Sequence, residues 1–407
     1  MGNLIIYRGA AWEEFFCGSG NQEEKMNYLG VDLHKDSMAV VGCDEVGRIF
    51  LKERLACKCI HRIERFFLQP CLHPCTVVVE AIGFYHWLFD LLEGKVARLI
   101  LANPVEIRKY AWNCPKTDFR DATKLAELFC SGEFERNKSL QCFVPDKTLR
   151  TFREFTRTRR HLICHHTSLV NSARRIFLKH NLPGPRVITA STLENFLRRF
   201  GGRFPDHHKK FLYTISENLF HNERQTTAIE REIDKFLQIR RFKSVCERLT
   251  SIPGVGQMVA ATLISEIGDF SRFPTPEKLA GYCGLVPKVW QSDNTTRYGR
   301  LTKKGPLDVR KVLVNAAWVS IREEGKTRRI FYRIAKRAGR KKAIVAVARK
   351  LLVWSWYLVT GKEKWELSPT NNLAERKSGV TLMRLLKKTT NGYFGSVNKA
   401  PGLTYSD

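Results

Sequence analysis

The sequence predicts an α/β domain followed by a mainly helical region. Short apolar runs fill the chain after Met26, long helical periodicities replace them from Leu149 onward, and positive charge shifts the same way. The chain has 407 residues and a formal charge of +29. Residues 26–150 hold 18 Lys/Arg against 16 Asp/Glu, whereas residues 151–407 hold 49 against 20. A near-neutral first part and a strongly cationic remainder point to a polyanionic partner, since release of its counterions drives such binding. No apolar run reaches the ~18 residues of a membrane span, and the N-terminus lacks the basic start and cleavage site of a signal peptide. The expectation is a cytoplasmic protein with its 12 cysteines reduced. Cys57, Cys59, His61, Cys71, His73 and Cys75 are zinc-type donors, but without Cys-x-x-Cys spacing they read as ordinary thiols.

The elements come in order along the chain. Tyr28–Val31 and Met38–Cys43 read as strands, and "DEVG" turns the chain into a third at Arg48–Leu55. "CTVVVEAIG" (75–83) is a buried strand, "FYHWLFDLLEG" a helix stopping at Gly94, and "ARLILANP" a strand closed by Pro104. Three antiparallel strands, then alternating helix and parallel strand, is the order of a ribonuclease-H-like fold, here over residues 26–148. Residues 149–243 read as an antiparallel helical hairpin or coiled coil. Phe155, Leu162, Leu169 and Ile176 recur every seven residues, "NLPGP" breaks the helix, and a second stretch at about 206–241 carries Leu212, Ile215, Leu219, Ile229, Ile233 and Phe236. Dimer contact, nucleic-acid contact and plain packing all fit that pattern.

Residues 244–360 read as a further, mainly α domain. In "SIPGVG", Gly254 and Gly256 fit the hairpin of a helix-hairpin-helix, where glycines let backbone amides approach a phosphate; a simple interhelical turn is the competitor. Residues 322–350 hold 12 Lys/Arg and 2 acids and read as one basic helix, with Lys341 and Lys342 on the face that meets phosphate. Residues 361–407 are a tail.

Four acids carry the chemistry. Asp32 ends the first strand, Glu80 ends a later parallel one, and Asp118 and Asp121 lie one helical turn apart in "KTDFRDA". Converging carboxylates repel unless divalent cations neutralise them, and hard Mg²⁺ prefers carboxylate oxygen. Two ions per site are expected, the arrangement that clamps an in-line attack on a phosphodiester. Taken singly, each acid reads as a cap or a surface charge, Asp118 being a natural first-turn acid.

Through "GVDLHKD", "VVVEAIGFY", "KTDFRDA", "SIPGVG", "LAGYCGLVP", "GRLTKKG", "LVNAAW" and "KKAIVAVARKLL", the chain resembles the insertion-sequence 110 family of transposases over roughly residues 27–360. These pair a RuvC-like DEDD domain with a serine-bearing transposase domain. The resemblance implies Asp32, Glu80, Asp118 and Asp121 as metal carboxylates. It also implies Ser292, five residues beyond the proline of "GLVP", as a nucleophile that joins covalently to DNA. It implies recombination of donor and target DNA guided by a noncoding bridge RNA, carried out by a homo-oligomer (a dimer or tetramer) in a prokaryotic cell, at the nucleoid when acting. Arg297 and Arg300 are placed to hold a phosphate near Ser292, with Lys303 and Lys304 close behind. Asp293 stands where the family commonly has glycine, and Lys304-Gly305-Pro306 replaces its usual KxGN. A structure-selective nuclease using water is the alternative enzyme; an inactive nucleic-acid-binding protein is the alternative outside enzymes.

Residues 1–25 have no role in this reading and form an extension that need not be native. A chain started at Met26 is expected to recombine DNA at the full-length rate in a plasmid assay. Loss of recombination would show that the extension matters.

Overall fold

The computed structural model describes residues 25–110, 117–292 and 295–361. They fall into two compact units that divide after Val144. The first holds β1 (Asn27–Leu33), β2 (Ser37–Cys43), β3 (Ile49–Ala56), α1 (Ile60–Phe67), β4 (Cys75–Glu80), α2 (His86–Leu92) and β5 (Arg98–Ala102), then α3 (Pro104–Ile107), α4 (Asp118–Cys130) and α5 (Glu133–Arg136). The strands form one sheet of order β3-β2-β1-β4-β5. β1 and β2, and β2 and β3, are antiparallel, whereas β1 and β4, and β4 and β5, are parallel. A mixed sheet of this order is compatible with a ribonuclease-H-like domain. The sequence pattern did not reveal α1.

Strand alternation gives the sheet two different faces. Leu29, Val31, Leu33, Val77 and Val79 bury one face against Phe67 of α1 and Leu88 of α2. The other carries Gly30, Ala39, Val41 and Val78 beneath Ala122 and Leu125 of α4. Contact on this second side is unusually close. A Cβ added to Gly30 would lie 2.0 Å from the Ala122 carbonyl oxygen and 2.8 Å from the Ala126 nitrogen. Glycine on the strand and alanines on the helix are therefore what let α4 settle onto β1.

The second unit holds α6 (Lys147–Lys179), α7 (Ala190–Phe200), α8 (Asp206–Gln238), α9 (Arg240–Thr250), α10 (Gln257–Ile267), α11 (Pro276–Tyr282), β6 (Pro287–Ser292), β7 (Thr295–Leu301), α12 (Leu307–Ser320), α13 (Lys326–Ala338) and α14 (Arg340–Thr360). α6 and α8 run antiparallel. Phe152 stacks on Phe236, Arg159 Nε meets Glu230 at 2.8 Å, and His180 Nε2 lies 2.8 Å from His208 Nδ1 at the far end. The buried seam of α6 is shifted from the seven-residue stripe. Leu149, Phe152 and Thr156, then Val170, Ala173, Ile176 and Phe177, are buried, while Phe155, Leu162 and Leu169 flank them half-buried. The seam still keeps a seven-residue repeat, with Leu149, Thr156, Val170 and Phe177 on one line and Phe152 and Ala173 on the other, offset from the line of Phe155, Leu162 and Leu169.

At its base the hairpin shares one core with the helices C-terminal to it. Leu149, Phe152, Ile233 and Leu237 pack with Leu263, Leu313 and Leu351, so residues 149–243 and 244–360 are joined there. The basic stretch at 322–350 is two helices rather than one, because Gly339, at φ 81°, ends α13 and starts α14. α14 is long and apolar enough to cross a membrane by length and composition, yet Ile344, Val347, Leu351 and Trp356 place it in the core.

The Gly30 contact is testable. Gly30→Val is expected to destabilise the first unit by about 1–3 kcal/mol or more, as overpacking does, read from thermal or denaturant unfolding. An unchanged melting profile would show that α4 does not need this close approach.

Candidate active site

The site forms where β1 and β4 end beneath the start of α4. Asp32 lies opposite Ala39 on β2, and Ala39 lies opposite Arg54 on β3. On the other side, Val31 pairs with Val79, so Glu80 comes next on β4 at the position level with Asp32. Glu80, Asp32, Ala39 and Arg54 thus make one row across the sheet, on the α4 face by alternation. Ala39 is small enough for α4 to sit over it, with Phe119 against the same patch.

Thr117 caps α4, its hydroxyl accepting from the Arg120 amide at 3.4 Å. The cap fixes where the helix starts, and so places Asp118 and Asp121 in the first turn. His34 Nε2 lies 3.1 Å from Asp32 Oδ2 and 3.3 Å from Asp118 Oδ1. Arg54 Nη2 lies 2.8 Å from Asp118 Oδ2, and its guanidinium sits 5.3 Å from the centre of the Phe119 ring. Asp32, His34 and Asp118 each offer a ligand atom, all within 4.8 Å of one another. Asp121 is close enough to act electrostatically on Asp32.

In the second unit, Ser292 is the last residue of β6, paired with Thr295 of β7, within a region expected to be mainly α. Asp293 lies outside the described residues. Arg297, Arg300, Lys303 and Lys304 are exposed on β7 and just after it. The segments around them interlock. A Cβ on Gly284 would lie 2.2 Å from the Lys304 carbonyl oxygen, and one on Gly305 would lie 1.8 Å from that of Tyr282. Arg310 Nη1 ties the same turn down, donating to the carbonyls of Cys283 and Lys304 at 3.0 and 2.7 Å. The two glycines named for phosphate contact differ. Gly254, at φ 85°, packs on α12, where a Cβ would lie 2.5 Å from the Ala316 carbonyl oxygen, whereas Gly256 is open at the start of α10. Lys341 and Lys342 are exposed in the first turn of α14.

Residues 29–181 match a family model for a DEDD transposase of the IS110 type, and residues 246–344 match the model described as "Transposase IS116/IS110/IS902 family". The chain belongs to the IS110 family of transposases. It is 25% identical to a Coxiella burnetii transposase for insertion sequence element IS1111A, over 83% of this chain and 90% of that protein. A probable family 20 transposase of Pseudomonas aeruginosa is 26% identical over 73% of this chain and 85% of its own. A shorter match, 31% identical over 27% of this chain and 35% of the other, is to a pilin gene-inverting protein of Moraxella bovis. This chain is accordingly a DNA transposase.

For a transposase of this family, the acids are only part of the site. His34 and Arg54 were missed in the sequence, although His34 stands two residues from Asp32, the spacing that keeps a strand residue on the same face. Arg54 left no local signal, because only the register through Ala39 brings it there. The two aspartates differ electrostatically. Burial pushes Asp32 above the ordinary carboxylate range, with Asp121 and Asp118 adding to the rise and His34 opposing it. The Arg54 hydrogen bond holds Asp118 below that range.

A carboxyl raised on folding adds stability at low pH that is lost as pH climbs through its folded pKa. At neutral pH the ionised Asp32 is therefore a cost to the metal-free fold, one that a bound divalent cation would offset. Asp32→Asn is expected to raise the melting temperature at pH 7 in chelator, and to abolish the extra stabilisation given by Mg²⁺. Equal or lower stability in chelator would show that Asp32 is not strained by its surroundings.

Proposed function

We propose that this transposase cuts and rejoins DNA through a Mg²⁺-dependent site of Asp32, Glu80, Asp118 and Asp121 and a covalent phosphoserine at Ser292, guided by a noncoding bridge RNA. The observation that carries the metal half is the start of α4, which brings Asp118 against the His34–Asp32 pair at the sheet edge. The donor set fits a hard divalent cation. It is oxygen-rich, partly buried, and electrostatically unbalanced at Asp32. Asp32, Glu80, Asp118 and Asp121 would hold the ions, which when bound polarise phosphoryl oxygens as Lewis acids. Arg54 and His34 orient the Asp118 carboxylate from two sides.

The serine half rests on family membership and on position. Ser292 closes β6 at the end of a cationic ribbon, with Arg297 and Arg300 on the facing strand to neutralise phosphate. A serine hydroxyl needs its proton removed to act, and an ionised carboxylate acting as base, or a metal ion that makes the hydroxyl more acidic, would supply that. The guide RNA comes from the resemblance alone. A polyanion-binding second unit supports nucleic acid in general. Arg340, Lys341 and Lys342 crowd the first turn of α14, where the helix dipole disfavours cations, so that turn suits a phosphate rather than the isolated fold.

Asp118→Asn and Glu80→Gln are expected to abolish strand cleavage while nucleic-acid binding stays near wild type, since amides keep shape and lose the cation. Ser292→Ala should eliminate the covalent protein–DNA adduct on denaturing gels. Normal nicking without any adduct in that variant would mean water is the nucleophile, and the nuclease reading would replace this one.

A further inference from the structure

The geometry points to a base-stacking platform on the β6–β7 ribbon, built on Trp290, that takes one unpaired base of a nucleic-acid strand. Trp290 lies opposite Arg297 and diagonal to Gly299. Its ring rests on that glycine: a Cβ at position 299 would lie 2.2 and 2.6 Å from two ring atoms. Glycine thus lets the indole lie against the ribbon, and yet 58% of the residue's surface stays in solvent. Val289 beside it is also exposed. The contact is at one edge of the six-membered ring, and an aromatic ring braced at its edge with more than half of the residue in solvent offers a surface that a base stacks on.

The surroundings choose the occupant. Arg297 faces Trp290 across the ribbon, Lys288, Arg300, Lys303 and Lys304 are exposed along it and just after it, and none of the five has an ion-pair partner among the described residues. An apolar peptide or a lipid tail gains nothing from five unpaired cations, whereas a single strand supplies base and phosphate together. The inference deepens the serine reading and rests on it for its purpose, since Trp290 sits two residues along β6 from Ser292. A base held there fixes the register of the phosphate beside it. Trp290 is thus a positioning residue for the strand at the proposed nucleophile.

The probe is a short oligothymidine carrying one 2-aminopurine, whose emission falls on stacking with an indole; eight tryptophans make the protein's own emission uninformative. The full chain should quench the probe. Trp290→Leu should bind it about 5- to 150-fold more weakly, the range for loss of one stacked base, and should not quench it. Trp290→Tyr keeps a ring over Gly299 and should recover most of the affinity, which separates loss of stacking from loss of the ribbon. Leucine and wild-type chains that bind and quench alike would overturn the proposal, as would a tyrosine variant no better than leucine. The same sequence made as RNA tells which strand the platform prefers, DNA by tighter quenching of the first probe or RNA by tighter quenching of the second. Quenching that persists in Ser292→Ala, in a protein whose wild type forms no adduct, would sink the serine assignment alone. An adduct formed normally without quenching would sink the platform alone.

Discussion

Everything proposed for the acidic site depends on how closely α4 lies on β1. The gap left by Gly30 is filled by helix backbone, so the helix sits at a height fixed by main-chain contact rather than by side-chain packing. That rigidity matters because carboxylates must converge within a few ångströms to share cations. Thr117 then sets the start of the helix along its axis, and the strand register sets which residues lie below. Height, start and register are three separate constraints, each carried by a different residue, and together they define one corner of the sheet.

That corner solves a charge problem twice. Asp32, Asp118 and Asp121 act on one another electrostatically, and acids drawn this close cannot all stay ionised without compensation. His34 and Arg54 provide some of it within the chain, one from the residue just after β1 and one from two strands away. They compensate unevenly: Arg54 serves Asp118, while Asp32 stays buried and above the usual range. The leftover imbalance is what a divalent cation would relieve, so in the proposed mechanism the burial that weakens the metal-free fold also favours metal binding. In the second unit the buried acid is handled without any leftover. Glu266 receives both arms of Arg157, at 2.7 and 3.0 Å, and the Arg153 guanidinium donates to the neighbouring Ser265 carbonyl at 2.9 Å. A satisfied pair of this kind anchors the base of α6 to α10, and it is a structural use of charge.

The strands of the first unit were legible because parallel strands buried on both faces read as short apolar runs, as in Cys75–Glu80. Asp32, Asp118 and the start of α4 were legible for a similar reason, since each sits beside a local signal: a strand end, or a Thr cap with acids directly after it. Arg54 had none, and its place is a property of the sheet rather than of any segment. The β6–β7 ribbon left no strand signal within a region expected to be mainly α; Val289 and Trp290, neighbours on opposite faces of β6, are both exposed, so neither marks a buried face. Gly339 was available as a helix stop, with Lys336 and Arg337 before it in the last turn of α13, but apolar periodicity on both sides masked the break. The seam of α6 keeps the seven-residue spacing on a neighbouring line, and Phe155 and Leu162, which marked the apolar stripe, are left half-buried beside Phe152 and Thr156.

These differences sort by what each unit does with its charge. In the first, cations and acids nearly balance, and Arg54 and Lys95 are spent in ion pairs with Asp118 and Glu64. In the second, Arg153, Arg157 and Arg160 are committed to Glu266 and Asp308 near the helix bases, whereas the β6–β7 ribbon and the first turn of α14 keep exposed cations. A fold that needed those cations for itself would pair them, as it pairs Arg157. Leaving them open while pairing others nearby is the pattern expected when the missing anions come with the substrate. Nucleic acid supplies them in a continuous row. Under the proposed mechanism, the first unit, whose acids and cations nearly balance, would engage the strand through divalent cations rather than through bulk charge.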